Sequence, residues 1–422
     1  MGQGARLRAP RPSAADGKVI LTVNARTADR ALHAGGPAGR RRSDFEELAA
    51  ALDADVLDWD VADRSRFWRL LHRKLGFGPV AAASVFLRRR RCRAVWCFTE
   101  VEGLLLALLF KIFRVRRILF MIGIETLSPK AMFMMKRLRV WTHFTAVLPT
   151  SSYQAEELVR LGGVPSDKVI VLPYQVDCDY FSPRHARQTG RAGLARPYIV
   201  AAGLESRDYA TLIAAVEGLD VDLRIAADSL WSGRQRPAIA AQPPKVTVGS
   251  YGYAELRDLY AGASLGVVPL YESRYQHGIT ALQEAMAMGL PVVVTRTAGQ
   301  GDVVIDRRKV LRADPERETR GGFAQLLAPD RPDLLECNGF YVGPGDVPAL
   351  RDTIRYLLAE PEVAAALGRQ ARRFAEEVLS IELFVERAVR LVTAAGSGQR
   401  ISAEILSGTT KSASTGPGGD QL

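Results

Sequence analysis

Cysteine and histidine are scarce in this chain, with four and five copies in 422 residues. Cys92, Cys97, Cys178 and Cys337 form no C-x-x-C pair and have no zinc-type spacing. Free buried thiols in a reducing compartment are therefore expected, and no metal site is. Long apolar runs are also missing. The longest, LLLALLF at Leu104–Phe110, is far short of the roughly 20 residues needed to cross a bilayer. Residues 1–17 are rich in Arg, Pro and Ala and hold no apolar leader core, so a cytoplasmic protein is expected. There is no helix-turn-helix, zinc or RNA-binding signature, which argues against nucleic acid as a partner. No G-x-G-x-x-G follows the first strand of either half, which argues against a dinucleotide-dependent dehydrogenase.

Basic charge, by contrast, is plentiful and unevenly placed. Residues 1–196 carry 33 basic and 18 acidic side chains, and the remainder carries 24 and 28, so a +15 half precedes a −4 half. Much of the excess lies in FLRRRRCR (Phe86–Arg93), KIFRVRR (Lys111–Arg117) and SPKAMFMMKRLRVW (Ser128–Trp141). In the last of these Ser128 suits an N-cap and Pro129 a first helical turn. Apolar and basic residues alternate there, which fits either a solvated basic face or an interfacial helix on anionic lipid.

Between an Arg/Pro/Ala-rich tail at 1–17 and a Gly/Ser-rich tail at 396–422, both expected to be disordered, strand-like runs alternate with helical ones. The first series is VILTVN (Val19–Asn24), DVLDWD (Asp55–Asp60), AVWCFTE (Ala94–Glu100), ILFMIG (Ile118–Gly123) and AVLPTS (Ala146–Ser151), with KVIVLPY (Lys168–Tyr174) as a further short strand. A low-periodicity linker at 183–196 follows. The pattern then restarts with YIVAAG (Tyr198–Gly203), DLRIAA (Asp222–Ala227), KVTVGS (Lys245–Ser250), LGVVPL (Leu265–Leu270), PVVVT (Pro291–Thr295) and GFYVG (Gly339–Gly343). This predicts an α/β protein of two doubly wound, Rossmann-like domains, at 18–182 and 197–375, facing across a cleft. A helix at 376–395 is expected to pack back toward the first domain.

The chemistry is concentrated in YQHGITALQEAMAMGLPVVVTRTAGQGD (Tyr275–Asp302). Ile279–Met288 reads as a helix, with Gly278 before it and Gly289 as its stop. A helix start offers unpaired N–H groups and a partial positive charge, which suits phosphate, and Gly278 lets a ligand approach the backbone. Gln276 and Glu284 are eight residues apart, roughly 12 Å if wholly helical. That span matches a diphosphate joining a ribose to a hexose. The loop Thr297–Gly301 follows a strand and would add small, amide-presenting residues.

This run resembles the donor-site signature of family 4 retaining glycosyltransferases (glycosyl transferases group 1), which have the GT-B fold. The register runs from Gln276 through Glu284, then Ala285-Met286-Ala287-Met288-Gly289-Leu290-Pro291-Val292-Val293-Val294. The segments at Tyr251–Leu270, Asn338–Leu358 and Val171–Pro183 are similar to the family's neighbouring segments. The resemblance implies sugar transfer from a nucleoside diphosphate sugar to a glycan, cell-envelope or lipid-linked acceptor. No metal or other cofactor is implied, because the nucleotide sugar is a substrate. It also implies that Gly278, Ile279, Thr280, Thr297, Gly299 and Gly301 line the diphosphate, that Glu284 holds the ribose, and that Gln276 and His277 meet the sugar. Gly35 and Gly36 correspond to a first-domain glycine loop near the leaving phosphate, or else to a plain surface loop. Two departures stand out: Gln276 replaces the family's first glutamate, and Leu204 replaces an arginine of the diphosphate site. Arg207 is then the diphosphate candidate, unless it pairs with Glu205 or Asp208 at the surface. His143 is expected to pack structurally. A nucleotide-sugar epimerase on the same fold and a degenerate nucleotide-sugar binder remain as alternatives.

Overall fold

The computed structural model describes residues 17–25, 40–63, 65–186, 196–227, 244–306, 322–328 and 330–407. Gly35 and Gly36 lie outside them. Two parallel sheets form among these residues. The first contains β1 (Lys18–Thr22), β2 (Asp55–Leu57), β3 (Cys92–Cys97), β4 (Ile118–Gly123) and β5 (Ala146–Pro149), in the order β2-β1-β3-β4-β5. The second contains β6 (Tyr198–Ala202), β7 (Asp222–Ala226), β8 (Val246–Gly249), β9 (Leu265–Val268), β10 (Val292–Thr295) and β11 (Phe340–Val342), in the order β11-β10-β9-β6-β7-β8. Central strands are buried along their whole length, as in the VVVT of β10, because helices cover both faces. Continuous Val/Ile runs replace the alternation of a half-exposed sheet for the same reason.

The expected strand at Lys168–Tyr174 does not form. That segment runs beside β5, giving Ile170 N–H to Val147 O at 3.0 Å and Leu172 N–H to Pro149 O at 2.9 Å, with one bridge at Val147–Val169. Pro173 lacks the N–H needed to continue the ladder. The tail expectation is also corrected in part. Ile401, Ile405 and Leu406 are buried in the main core, and Glu404–Ser407 is a short helix. Three apolar anchors hold this polar-looking stretch down. Residues 1–16, 187–195 and 408–422 fall outside the described residues.

The helix Ile381–Gly396 returns to the first domain and packs on the helix Asp44–Leu52, with Phe384 edge-on to Trp96 at 6.4 Å. The carboxyl ends of the two sheets meet across a seam. Ser152 N–H donates to Asp302 Oδ2 at 2.8 Å, Gln283 Nε2 to Tyr174 O at 2.9 Å, and Arg274 pairs with Glu157 at 3.0 Å.

One buried group works against the fold. Glu102, in the first turn of the helix Glu100–Ile112, has no solvent exposure, and neither carboxylate oxygen has a hydrogen-bond partner. Burial pushes its carboxyl up to about 7, from an ordinary value of 4.5. The folded state therefore holds a proton that the unfolded state releases, and stability falls as pH rises through that interval. Glu102→Gln is expected to raise stability by about 3 kcal/mol at pH near 8 and by almost nothing near pH 4.5. Urea unfolding at both pH values checks this.

Candidate functional site

In the second sheet β6 is flanked by β9 on one side and β7 on the other, so successive crossovers leave in opposite directions. A crevice opens above such a switch point. Here the loops leaving β6 and β9 meet. Arg207 and Leu270 form an antiparallel bridge, Asp208 N–H donates to Pro269 O at 3.1 Å, and Tyr271 N–H to Ser206 O at 3.1 Å.

The helix Ile279–Ala287 starts at this crevice, and only these nine residues are helical. Gln276 lies in the preceding turn, so the reach from Gln276 to Glu284 is not the fully helical span. Gly278 is the N-cap, with φ +77°, and provides no side-chain cap. A Cβ there would sit 2.6 Å from Val268 Cγ1 and 3.1 Å from Leu270 Cδ2. Both the left-handed backbone and the contact demand glycine. With no capping oxygen, the leading N–H groups face the crevice. Thr280 is exposed at this opening, whereas Ile279 and residues 281–287 are buried. Ile279 can therefore offer its amide but not its side chain.

Arg207 lies against this helix start, with Nη1 at 3.4 Å from the Cβ position of Gly278. Its Nε donates to Ala202 O at 2.9 Å and Nη1 to Glu205 O at 2.7 Å. It pairs with neither adjacent carboxylate. Asp208 instead caps the next helix through Thr211 N–H at 3.1 Å. His277 lies tilted beside the Tyr275 ring, with centroids 5.8 Å apart, and its Nδ1 is buried without a partner. Burial and then Arg207 lower its pKa, against opposing pulls from Glu125 and Glu205. The imidazole is thus held neutral. Gln276 is buried, and both its amide oxygen and nitrogen lack partners.

Glu284 lies farther along the helix, buried, and accepts from Tyr260 Oη at 3.3 Å. Burial pushes its carboxyl up to about 7, against the pull of Arg41 and the Tyr260 hydroxyl. Arg41, from the first domain, drew no attention in the sequence because its role depends wholly on tertiary packing.

The Thr297–Gly301 loop reaches the site but offers fewer amides than its composition suggested. Ala298 N–H donates to Glu272 Oε1, Gly299 N–H to Ser273 O and Gln300 N–H to Thr297 O, all within 3.0–3.1 Å. Gln300 Nε2 holds His277 O at 3.0 Å. The Gly299 Cβ position is 2.4 Å from the Tyr275 backbone, so the loop packs directly on the 275–278 turn. Its main contribution is support for that turn. His143 is elsewhere. It precedes β5, at the opposite end of the first sheet, beside Thr142 Oγ1 at 3.0 Å. Among the described residues no group of three or more His, Cys, Asp or Glu could hold a metal ion.

Residues 207–360 match the family model "Glycosyl transferases group 1". Over 189 residues the chain is 29% identical to the D-inositol 3-phosphate glycosyltransferase of Xylanimonas cellulosilytica, covering 38% of this chain and 43% of that protein. Over 246 residues it is 27% identical to the MMP alpha-(1->4)-mannosyltransferase of Mycolicibacterium hassiacum, covering 57% and 52%. The matched stretch thus spans about half the length of these curated relatives. Similar solved structures include Anabaena Alr3699/HepE in complex with UDP and glucose, with a TM-score of 0.61, 15% identity and 90% of this chain and 100% of that one covered. Sucrose-phosphate synthase from Thermosynechococcus elongatus gives 0.62, 17%, 91% and 100%. The fold is GT-B.

Gly278→Ala is expected to cost on the order of 2 kcal/mol in urea unfolding, from strain at positive φ and the clash with Val268. Gly345→Ala, at φ +69° with no atoms near the Cβ position, is the control for backbone strain alone and should cost less.

Proposed function

We propose, for a chain whose residues 207–360 match the Glycosyl transferases group 1 family model, transfer of a sugar from a nucleoside diphosphate sugar to a glycan or lipid-linked acceptor, with retention at the anomeric carbon. One observation carries this reading: an uncapped helix start, Arg207 and Glu284 are arranged along a single crevice at a sheet switch point. Retention is taken from the resemblance of the 276–294 run.

The diphosphate would lie on the N–H groups of Ile279 and Thr280, with the Arg207 guanidinium beside them. As the bond from the anomeric carbon to the phosphate oxygen breaks, its electron pair stays on the diphosphate. The helix start and Arg207 are already oriented toward that growing charge. The acceptor hydroxyl forms the new bond, and its proton ends on the departing phosphate. Gln276 has a donor and an acceptor unpaired, the complement of sugar hydroxyls, while neutral His277 adds a buried nitrogen. Glu284 would accept from the ribose hydroxyls.

Binding of the intact donor, whose phosphates do not titrate near neutrality, should strengthen as Glu284 ionises. Between about pH 6 and pH 8 the gain is roughly tenfold. Calorimetric titration with a panel of nucleoside diphosphate sugars measures this. Glu284→Gln should bind more weakly and lose the pH dependence, and unchanged binding by that variant would remove the ribose role.

We further place the first domain on an anionic membrane surface. The helix Arg66–Leu75 has no buried residue and carries Arg66, Arg69, Arg73 and Lys74 beside exposed Phe67 and Leu70. Leu87, Ile112, Phe113 and Phe133 of the same domain are also exposed and stand near basic residues in the chain. Among the described residues no helix is long and apolar enough to cross a membrane, so attachment would be interfacial. Sedimentation with phosphatidylglycerol vesicles should recover the protein, and neutral vesicles should not. Phe67→Ser with Phe113→Ser should reduce recovery several-fold.

A further inference from the structure

Arg41 belongs to the first domain, in the lead-in to the helix Asp44–Leu52, yet its guanidinium lies over a ring of the second. Its Cζ is 4.8 Å from the centroid of Tyr253, the first residue of the helix Tyr253–Gly262. Its Nε is buried without a hydrogen-bond partner. The next residue fixes its position. Arg42 N–H donates to Asp177 Oδ2 at 2.8 Å, and the Arg42 guanidinium pairs with Asp177 at 2.7 Å. Glu284 is close enough to act electrostatically on Arg41, along with Tyr253, Asp44 and Asp177. Even so, the two groups form no direct ion pair or hydrogen bond among the described residues. A half-buried cation of the first domain and a buried carboxylate of the second thus stand on opposite sides of the seam with no direct bond between them.

We propose that a vicinal diol, the ribose of the bound nucleoside diphosphate, fills the space between Arg41 and Glu284. Its hydroxyls donate to the Glu284 carboxylate and accept from the Arg41 guanidinium. Each hydroxyl carries both a hydrogen and lone pairs, so one diol satisfies both groups. The base then lies toward Tyr253, which opens its helix beside them. Arg41 is in this way a nucleotide contact supplied by the opposite domain, and the nucleotide ties the two lobes together. This inference rests on the reading of Glu284 as the ribose ligand.

The test compares ribo- and 2′-deoxyribonucleoside diphosphates by calorimetry on the full chain, using whichever of the uridine, adenosine or guanosine forms binds best. Wild type should favour the ribo form. Arg41→Ala should weaken it about tenfold or more and narrow the ribo/deoxy ratio, and Arg41→Lys should recover part of the loss. Arg41→Gln, which keeps the stem and two donors, stands in if the alanine variant does not fold. A structural role alone would lower Tm without changing the ribo/deoxy ratio. If Glu284→Ala weakens binding while the Arg41 variants bind as wild type does, or more tightly, Arg41 is no contact and the present inference falls alone. If wild type binds no nucleoside diphosphate, the donor-site reading falls with it.

Discussion

The site depends on one backbone torsion. Gly278 turns left-handed at φ +77°, and this aims the start of the 279–287 helix at the crevice between β6 and β9. A residue with a side chain would clash with Val268 and Leu270, and a capping side chain would occupy the leading amides. The other side chains of that helix, apart from Thr280, point into the core, so its amino end is the part free to act. The surroundings are already polar and underused. Gln276, His277 Nδ1 and Gln283 Oε1 are buried without partners. Most buried polar groups in a folded chain are paired, and unpaired ones beside a helix start are open to a ligand.

The charge of the cleft is not the charge of the chain. Much of the basic excess of the first half lies on the helix 66–75, in the Arg88–Arg91 run that leads into β3, at Arg114–Arg117 before β4, and on and just after the helix 129–136. At the carboxyl ends of the same sheet stand Glu100, whose Oε2 accepts from Glu125 N–H at 3.4 Å, and Glu125, which pulls on both His277 and Tyr275. The second domain opposite them offers a helix start and Arg207. One wall thus carries carboxylates beside the seam, and the other a helix start and a guanidinium. The long-range field of a +15 segment belongs to surfaces outside the cleft.

Local patterns carried the strands and the helix at the site into the sequence. The VVVT of β10 and the ITALQEAMA–Gly289 unit state their own conformation, because burial on both faces and a glycine stop need no distant partner. What sequence could not show was set by packing. Arg40, Arg41 and Arg42 are three identical residues in a row. The first pairs with Glu46, the second spans the seam to Tyr253, and the third holds Asp177. The helix Arg66–Leu75 was hard to read for the opposite reason: only Trp68 and Leu71 lean on the core, and none of its residues is fully buried. The loop Thr297–Gly301 was legible as small and polar, but its amides are turned inward onto residues 272, 273 and 297.

The covalent path between the domains crosses twice near one place, and the two crossings are joined. Val176 N–H donates to Leu379 O at 2.9 Å, and Ile381 N–H to Val176 O at 3.0 Å. Arg372 adds bonds to Cys178 O at 2.9 Å and Phe181 O at 2.6 Å. A rotation of one lobe against the other would turn about this paired crossing. Asp177 lies within it, held ionised: burial alone would raise its carboxyl, but hydrogen bonds from the Arg42 side chain and backbone outweigh that and bring it below the usual range. Arg42 also pairs with Glu382, just beyond the second crossing. The lead-in to Arg41 is thus moored to this crossing through Arg42, while Glu284 belongs to the second domain. Opening would separate Glu284 and Tyr253 from Arg41 without disturbing the mooring, and a ligand reaching both sides would resist that separation. If that ligand is the proposed sugar donor, the same interaction would also keep water from its reacting carbon.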